Sequence, residues 1–277
     1  MALVGFPARI AETCEDRYRI DRRKIAENRE GRYLVRSMAT LVLLVALAFV
    51  VGACGVRNVT IGEIETGPAV TEEIDVPGPA GGGTARVEIG MGGGDLSITT
   101  GSVDGMIKGT VAYNMQDLKP SVQIQGNQVR IEQGDIEGRR IPIGNWKDVE
   151  NHWDLTLGTA PLTLSVNAGA ARAELTGLAD LNAAEIHFAG GAGDLTLEFS
   201  GSLRQDMRVS VDAGAAQVTL IVPRGTAAEA TFKSALTDID TQGDWEKSGN
   251  QYVLAGEGPK ITFVIQMGVG RLEMRKR

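Results

Sequence analysis

The chain has 277 residues, a net charge of −7 and 5% aromatic residues, with 36 glycines and two cysteines. A surplus of acid repels phosphate backbones and excludes nucleic acid as a natural partner. The glycines, set among β-branched and aliphatic runs, point to tight turns in an all-β chain rather than to disorder.

Residues 1–37 are dense in charge of both signs, including Arg22, Arg23, Lys24, Glu27, Arg29 and Glu30. A signal n-region is short and positive, so this segment is too long and too acidic to be one. A misplaced start accounts for it: a chain beginning near Val35 presents Arg36, Met38, an apolar core and a cysteine in the usual order. The other reading is a short cytoplasmic helix, with Ile10, Cys14, Tyr18, Ile25 and Tyr33 loosely on one side. Residues 39–53 carry no charge. At 1.5 Å of rise per residue they span about 22 Å, short of a ~30 Å hydrocarbon core. Residues 38–53 therefore read as a signal peptide that ends in small residues before Cys54.

Cleavage there leaves 224 residues, 19 of them basic and 29 acidic. Cys14 is then lost, so no disulfide is expected and stability rests on packing and backbone pairing. So acidic a surface has no attraction for anionic lipid, which leaves Cys54 as the route to a membrane. Residues 54–83 read as a tether and first strand region. The Gly- and Pro-rich stretch 66–83 is expected to give reach.

The remainder, 84–277, carries an internal repeat. Alternating apolar residues, a small-residue trio and renewed alternation recur in 87–98, 164–175, 186–197, 209–220 and 263–274. The trios are Gly92-Gly93-Gly94, Gly169-Ala170-Ala171, Gly191-Ala192-Gly193, Gly214-Ala215-Ala216 and Gly268-Val269-Gly270, spaced by 77, 22, 23 and 54 residues. Period-two alternation makes a strand with one buried face. The trio supplies a bend, either at positive φ or where backbones approach closely. A lone strand–bend–strand unit cannot bury its apolar face, so units must stack, as in a β-solenoid with about 20–30 residues per rung. Further strands are expected at 109–113, 122–124, 129–131, 153–157 and 231–233. The fold class is all-β, a solenoid or rolled β-sandwich, with a signal-peptide helix before it.

Little in the sequence carries chemistry. The glycine runs at 90–94 and 190–193 suggest a phosphate loop, but such a loop needs a following helix, and strand residues follow here. The runs 191–197 and 93–98 resemble calcium-binding β-roll nonapeptides. Their aspartate sits one place early, and Arg172, Gln217 and Arg271 fill the equivalent positions, so no carboxylate stack forms. Residues 238–244 begin like an EF-hand loop, but the twelfth position is Gly249, and a polar turn before Trp245 is the better account. His152 and His187 are the only histidines. His187 is expected on the solvent face of a strand, and His152 to pack or cap a loop beside Trp153. The acids scatter between loops (Asp148, Glu150) and strand faces (Glu88, Glu174, Glu198), with no convergent pair, although one could assemble across rungs. Trp146 and Trp153 bracket the longest polar insertion and are the candidate partner-binding aromatics. Trp153, at a strand start, could instead seal the end of the stack.

The order Ile61-Gly-Glu-Ile64, the run 87–96, Tyr113-Asn114, Lys119-Pro120 and Trp153-Asp-Leu-Thr-Leu157, followed by the small-residue rungs, resembles the toast-rack family of bacterial envelope proteins. The likeness covers roughly residues 60–275 and lies in the order of motifs. It implies a right-handed β-solenoid or β-roll, as at the C-termini of LiaF-like cell-wall-stress regulators and in proposed adhesins. Ala170-Ala171 and Ala215-Ala216 depart from it, since glycine is more typical there, and those two bends are expected to be less extreme. The multi-helix membrane regions of the LiaF-like relatives find no counterpart here, so direct control of a membrane kinase is not expected. The ending Val51-Gly52-Ala53-Cys54 is similar to the lipobox of bacterial lipoproteins, whose cysteine becomes the lipidated first residue. The combined expectation is a non-enzymatic, extracytoplasmic lipoprotein without cofactor or metal. It would be lipid-anchored to the cell membrane and bind an envelope protein or a glycan, in stress sensing and regulation or in adhesion. The alternative is a carbohydrate-active enzyme with carboxylates assembled across rungs.

Overall fold

A computed structural model describes residues 66–79, 82–134 and 148–277, all within the unit Ile61–Arg277. The expected signal peptide and Cys54 lie outside the described residues. The first strands are β1 (Val70–Val76), β2 (Ala85–Thr100), β3 (Ile107–Tyr113), β4 (Ser121–Gln125), β5 (Gln128–Glu132) and β6 (Asn151–Leu157). The next are β7 (Leu162–Thr176), β8 (Ala183–Glu198), β9 (Met207–Val222) and β10 (Thr226–Gln242). The last are β11 (Trp245–Ser248), β12 (Gln251–Leu254) and β13 (Glu257–Lys276). They form one sheet in the order β1-β3-β6-β2-β7-β8-β9-β13-β10-β12-β11, with β5 and then β4 attached to β2. The all-β class is therefore correct, and each expected strand is present.

The long strands β2, β7, β8, β9, β13 and β10 lie parallel and in register. Chain geometry forces each to fold back on itself. Leu162, which opens β7, is paired with Ala183, which opens β8. A straight strand the length of β7 would run about 50 Å, whereas the link 177–182 can return only about 20–25 Å. The strand must therefore bend near its middle, which brings its two ends within reach of the link. Residues 177–182 and Phe199 close the open side, burying Leu178, Leu181 and Phe199. Phe199 meets Phe263 edge to face with centroids 5.2 Å apart.

Both arms of each bent strand turn alternate side chains into one core. A typical row runs Trp153, Leu96, Ala173, Leu195, Val218 and Leu272 across six strands, all buried. Each such aliphatic side chain removed from water contributes roughly 1.5–3 kcal/mol before entropy is counted, so the rows are the main source of stability.

The structure adds three features. The stretch 66–83, expected to give reach within a tether and first strand region, holds β1, whose residues pair with β3 from Val70↔Tyr113 to Val76↔Ile107. The Tyr113 hydroxyl donates to Glu72 Oε1 at 2.9 Å, and Lys119 Nζ lies 2.9 Å from the same oxygen, which ties β1 down. A sixth long bent strand exists, β10, in which Ala235-Leu236-Thr237 stands where the other five carry a glycine-led trio. The last long strand of the chain, β13, inserts between β9 and β10. The supposed polar turn at 238–244 is thus mostly the end of β10, and only Gly243 and Asp244 form the turn.

Candidate functional site

The trios form the outer corner of the stack. Strand pairing passes over Gly92, Gly169, Gly191, Gly214 and Gly268, because these residues make the bend. A Cβ on Gly169 would sit 2.3 Å from Gly92 O, and one on Gly214 would sit 2.4 Å from Gly191 O. That is close approach of backbone to backbone. Two residues on, the conformation alternates from strand to strand. Gly94, Gly193 and Gly270 have φ of 134°, 130° and 146°, while the paired Ala171 and Ala216 keep negative φ. Both expected reasons for the glycines therefore apply, close approach at the first position of the trio and both together at the third. The two alanine-bearing bends do spare the backbone the left-handed region.

The middle residues of the trios make a ridge, half-buried at Gly93 and exposed at Ala170, Ala192, Ala215 and Val269, then at Leu236 of β10, each in register with the next. It ends in the two most exposed large apolar side chains among the described residues, Val269 at 50% and Leu236 at 75%.

At the other end of the ridge the corner is built differently. β5 extends one arm of β2 and β6 extends the other, so the corner between them is split by residues 133–150. Side chains replace the missing bend. Gln133 Oε1 accepts from Gly92 N at 2.9 Å, and Asn151 Nδ2 donates to it at 2.8 Å. Asn151 Nδ2 also donates to Gly93 O at 2.5 Å, and Trp153 Nε1 donates to Asn151 Oδ1 at 2.8 Å. Trp153 is 0% exposed. The expectation that it binds a partner is corrected: its indole is a core side chain that seals the first rung and orients the amide bridging the corner. Trp146 lies outside the described residues.

Among the described residues the outward faces carry ion pairs. Asp95, Arg172, Asp194, Gln217 and Arg271 form one row across the sheet, so Asp95 and Asp194 are separated by a guanidinium instead of stacking on one another. Where acids converge, arginines pair with them. Arg130 lies 2.5 Å from Glu88 and 3.0 Å from Glu132. Asp240 and Glu273 are paired across strands, with Arg271 3.1 Å from the first and Arg275 2.7 Å from the second. The Arg275 hydrogen bond holds the Glu273 carboxyl below its ordinary value, against the upward pull of burial. A general acid needs the opposite shift. His152 is on the outer face with Nε2 3.0 Å from Asp154, not packed in a loop, and His187 is on an outer face 3.9 Å from Asp212.

The depressed carboxyl has a measurable consequence. Glu273 binds its proton less readily folded than unfolded, so its contribution is complete above the ordinary 4.5 and fades as pH falls through the lower folded value. Glu273→Gln is therefore expected to make acid unfolding less steep below about pH 4.5, read from circular dichroism against pH.

Among the described residues no helix is long and apolar enough to cross a membrane. Nothing among curated proteins matches the sequence. The fold is similar to that of a proposed cell-adhesion protein from Clostridium sporogenes, 19% identical, with a TM-score of 0.68 over 76% of this chain and 100% of that one. Proposed adhesins from Bacteroides fragilis (12% identity, TM-score 0.30, 74% of this chain and 96% of that one) and Parabacteroides merdae (11%, 0.31, 76% and 98%) match too loosely to bear on the fold. The family profile described as the N-terminal domain of toast_rack matches residues 65–221, more than half of the sequence. With its parallel bent strands and glycine corners, this chain belongs to the toast-rack family.

Proposed function

We propose that the chain is a non-enzymatic, extracytoplasmic lipoprotein of the bacterial envelope. Its bent strands form a right-handed β-solenoid that presents a rigid surface to an envelope protein or a glycan, in adhesion or in sensing of envelope stress. The observation that carries this reading is how the polar residues are used. The trio glycines form corners, and the acids that converge are paired with guanidinium groups, so what faces outward is a regular surface. The adhesion description of the Clostridium sporogenes protein points the same way.

In this reading residues 38–53 are a cleaved signal peptide and Cys54 carries the lipid. One acyl chain anchors only marginally, whereas several on one N-terminal cysteine hold firmly. Trp146 is the aromatic left to contact a partner, since Trp153 is committed to the core. Cys54→Ala is expected to move the chain from the membrane fraction to the soluble fraction. Retention in the membrane fraction contradicts lipidation at that residue.

A further inference from the structure

The two ends of the stack are finished differently. At the β2 end both arms are continued, one by β5 and the other by β6. At the β10 end the first arm is covered by β12, from Ala228↔Leu254 to Thr231↔Gln251. Among the described residues, the second arm, 236–242, pairs with β13 alone. Arg277 N donates to Val222 O, and Arg224 N donates to Arg277 O, so the Arg277 peptide groups face β9. Alternation along β13 then turns those of Leu272 and Met274 toward β10. Along β10 it leaves the N–H and C=O groups of Thr237, Ile239 and Thr241 on the open side.

Three further observations mark this side as incomplete. Leu272 and Met274 are fully buried, but their neighbours in the same inward rows, Ile239 and Thr241, are only half-buried. Val269 and Leu236, in register with each other, stand exposed where the arm begins. The indole N–H of Trp245, three residues past the strand, is buried without an acceptor.

Charge selects the occupant. Asp240, Glu273 and Asp244 each hold a cation, from Arg271, Arg275 and Lys276 respectively. Asp238 is exposed and has none among the described residues. A second copy offers no free cation for Asp238: its β1 edge presents Glu73, with Glu72 and Asp75 already held by Lys119 and Lys108, its β4 edge is uncharged, and its own β10 presents Asp238. We propose that 236–242 accepts an extended segment of another protein as an added strand, one that alternates aliphatic and cationic side chains. The aliphatic ones would continue the rows that end at Ile239 and Thr241, and the cationic ones would lie beside Asp238. The edge lies beyond the residues that match the family. The inference rests on reading the chain as a partner-binding scaffold.

The test titrates the full chain, in detergent, with a blocked, fluorescently labelled Val-Lys-Val-Lys-Val-Lys-Val peptide, followed by anisotropy and by amide exchange at 237, 239 and 241. The lysine peptide is expected to bind at least about tenfold more tightly than its glutamate counterpart and to slow exchange at those amides. Asp238→Lys should reverse the preference. N-methylation of alternate peptide amides should abolish binding. So should Ile239→Pro, whose lost N–H faces the open side and leaves the β13 ladder intact. Binding indifferent to N-methylation and to Asp238→Lys overturns the proposal, as general attraction to an acidic protein. Absence of binding by either peptide overturns it as well. Self-association that Asp238→Lys or Ile239→Pro abolishes names a second copy as occupant and overturns it too. None of these readouts involves Cys54, so failure here leaves the proposed tethering intact.

Discussion

Gly270→Ala is expected to destabilise the domain by about 3 kcal/mol or more, lowering the melting midpoint by about 10 °C. The new Cβ would lie 1.8 Å from Ala216 O, at a φ of 146° that alanine adopts only under strain. The obstacle is a backbone carbonyl inside a parallel ladder, so no rotamer change relieves it. The control sits on the neighbouring strand. Ala216, paired with Gly270, already has negative φ, and Ala216→Gly should cost only about 1 kcal/mol, from chain entropy and one partly buried methyl. Thermal unfolding of the two variants gives the comparison. Equal effects would mean that the corner is not built by alternating glycine and alanine.

Trp153→Ala is expected to be about as damaging, at roughly 3–5 kcal/mol, because it empties the largest fully buried side-chain volume. It also strips Asn151 Oδ1 of the indole donor and loosens the amide that spans the split corner. Trp153→Phe keeps most of the volume and loses the donor, for about 1–2 kcal/mol. Chemical denaturation distinguishes these from a binding role, since a surface aromatic would leave the unfolding midpoint in place.

The corners were legible because they break a pattern. Alternation interrupted by small residues at 92, 169, 191, 214 and 268 is visible without coordinates, and it predicts both the bend and the stacking of rungs. The sixth rung escaped notice because Ala235 and Leu236 replace the glycine and small residue that mark the others. Standing last in the stack, β10 has, among the described residues, no further rung beyond its second arm to crowd a side chain there. The bounds of β1 within the first strand region were obscured by composition: in Val70–Val76 only Ile74 and Val76 are buried, so the rest resembles polar tether. The role of Trp153 depended on distant partners. Its indole accepts its orientation from Asn151, which in turn reaches Gly93, a contact spanning 58 positions of sequence. The place of β13 between β9 and β10 was likewise hidden, because sequence order suggests that successive rungs stack successively.

Cysteine cross-linking along the ridge tests the architecture most directly, with Cys14 and Cys54 replaced by serine. Ala170 is paired with Ala192, and Ala192 with Ala215, all three exposed on adjacent parallel strands. Neighbouring strands lie about 4.8 Å apart, within disulfide range, whereas a two-strand gap of about 10 Å is beyond it. The pairs Ala170→Cys with Ala192→Cys and Ala192→Cys with Ala215→Cys should oxidise readily, and Ala170→Cys with Ala215→Cys should not. Efficient linkage of the outer pair, or failure of both neighbouring pairs in folded protein, contradicts the in-register stacking on which every surface described above depends.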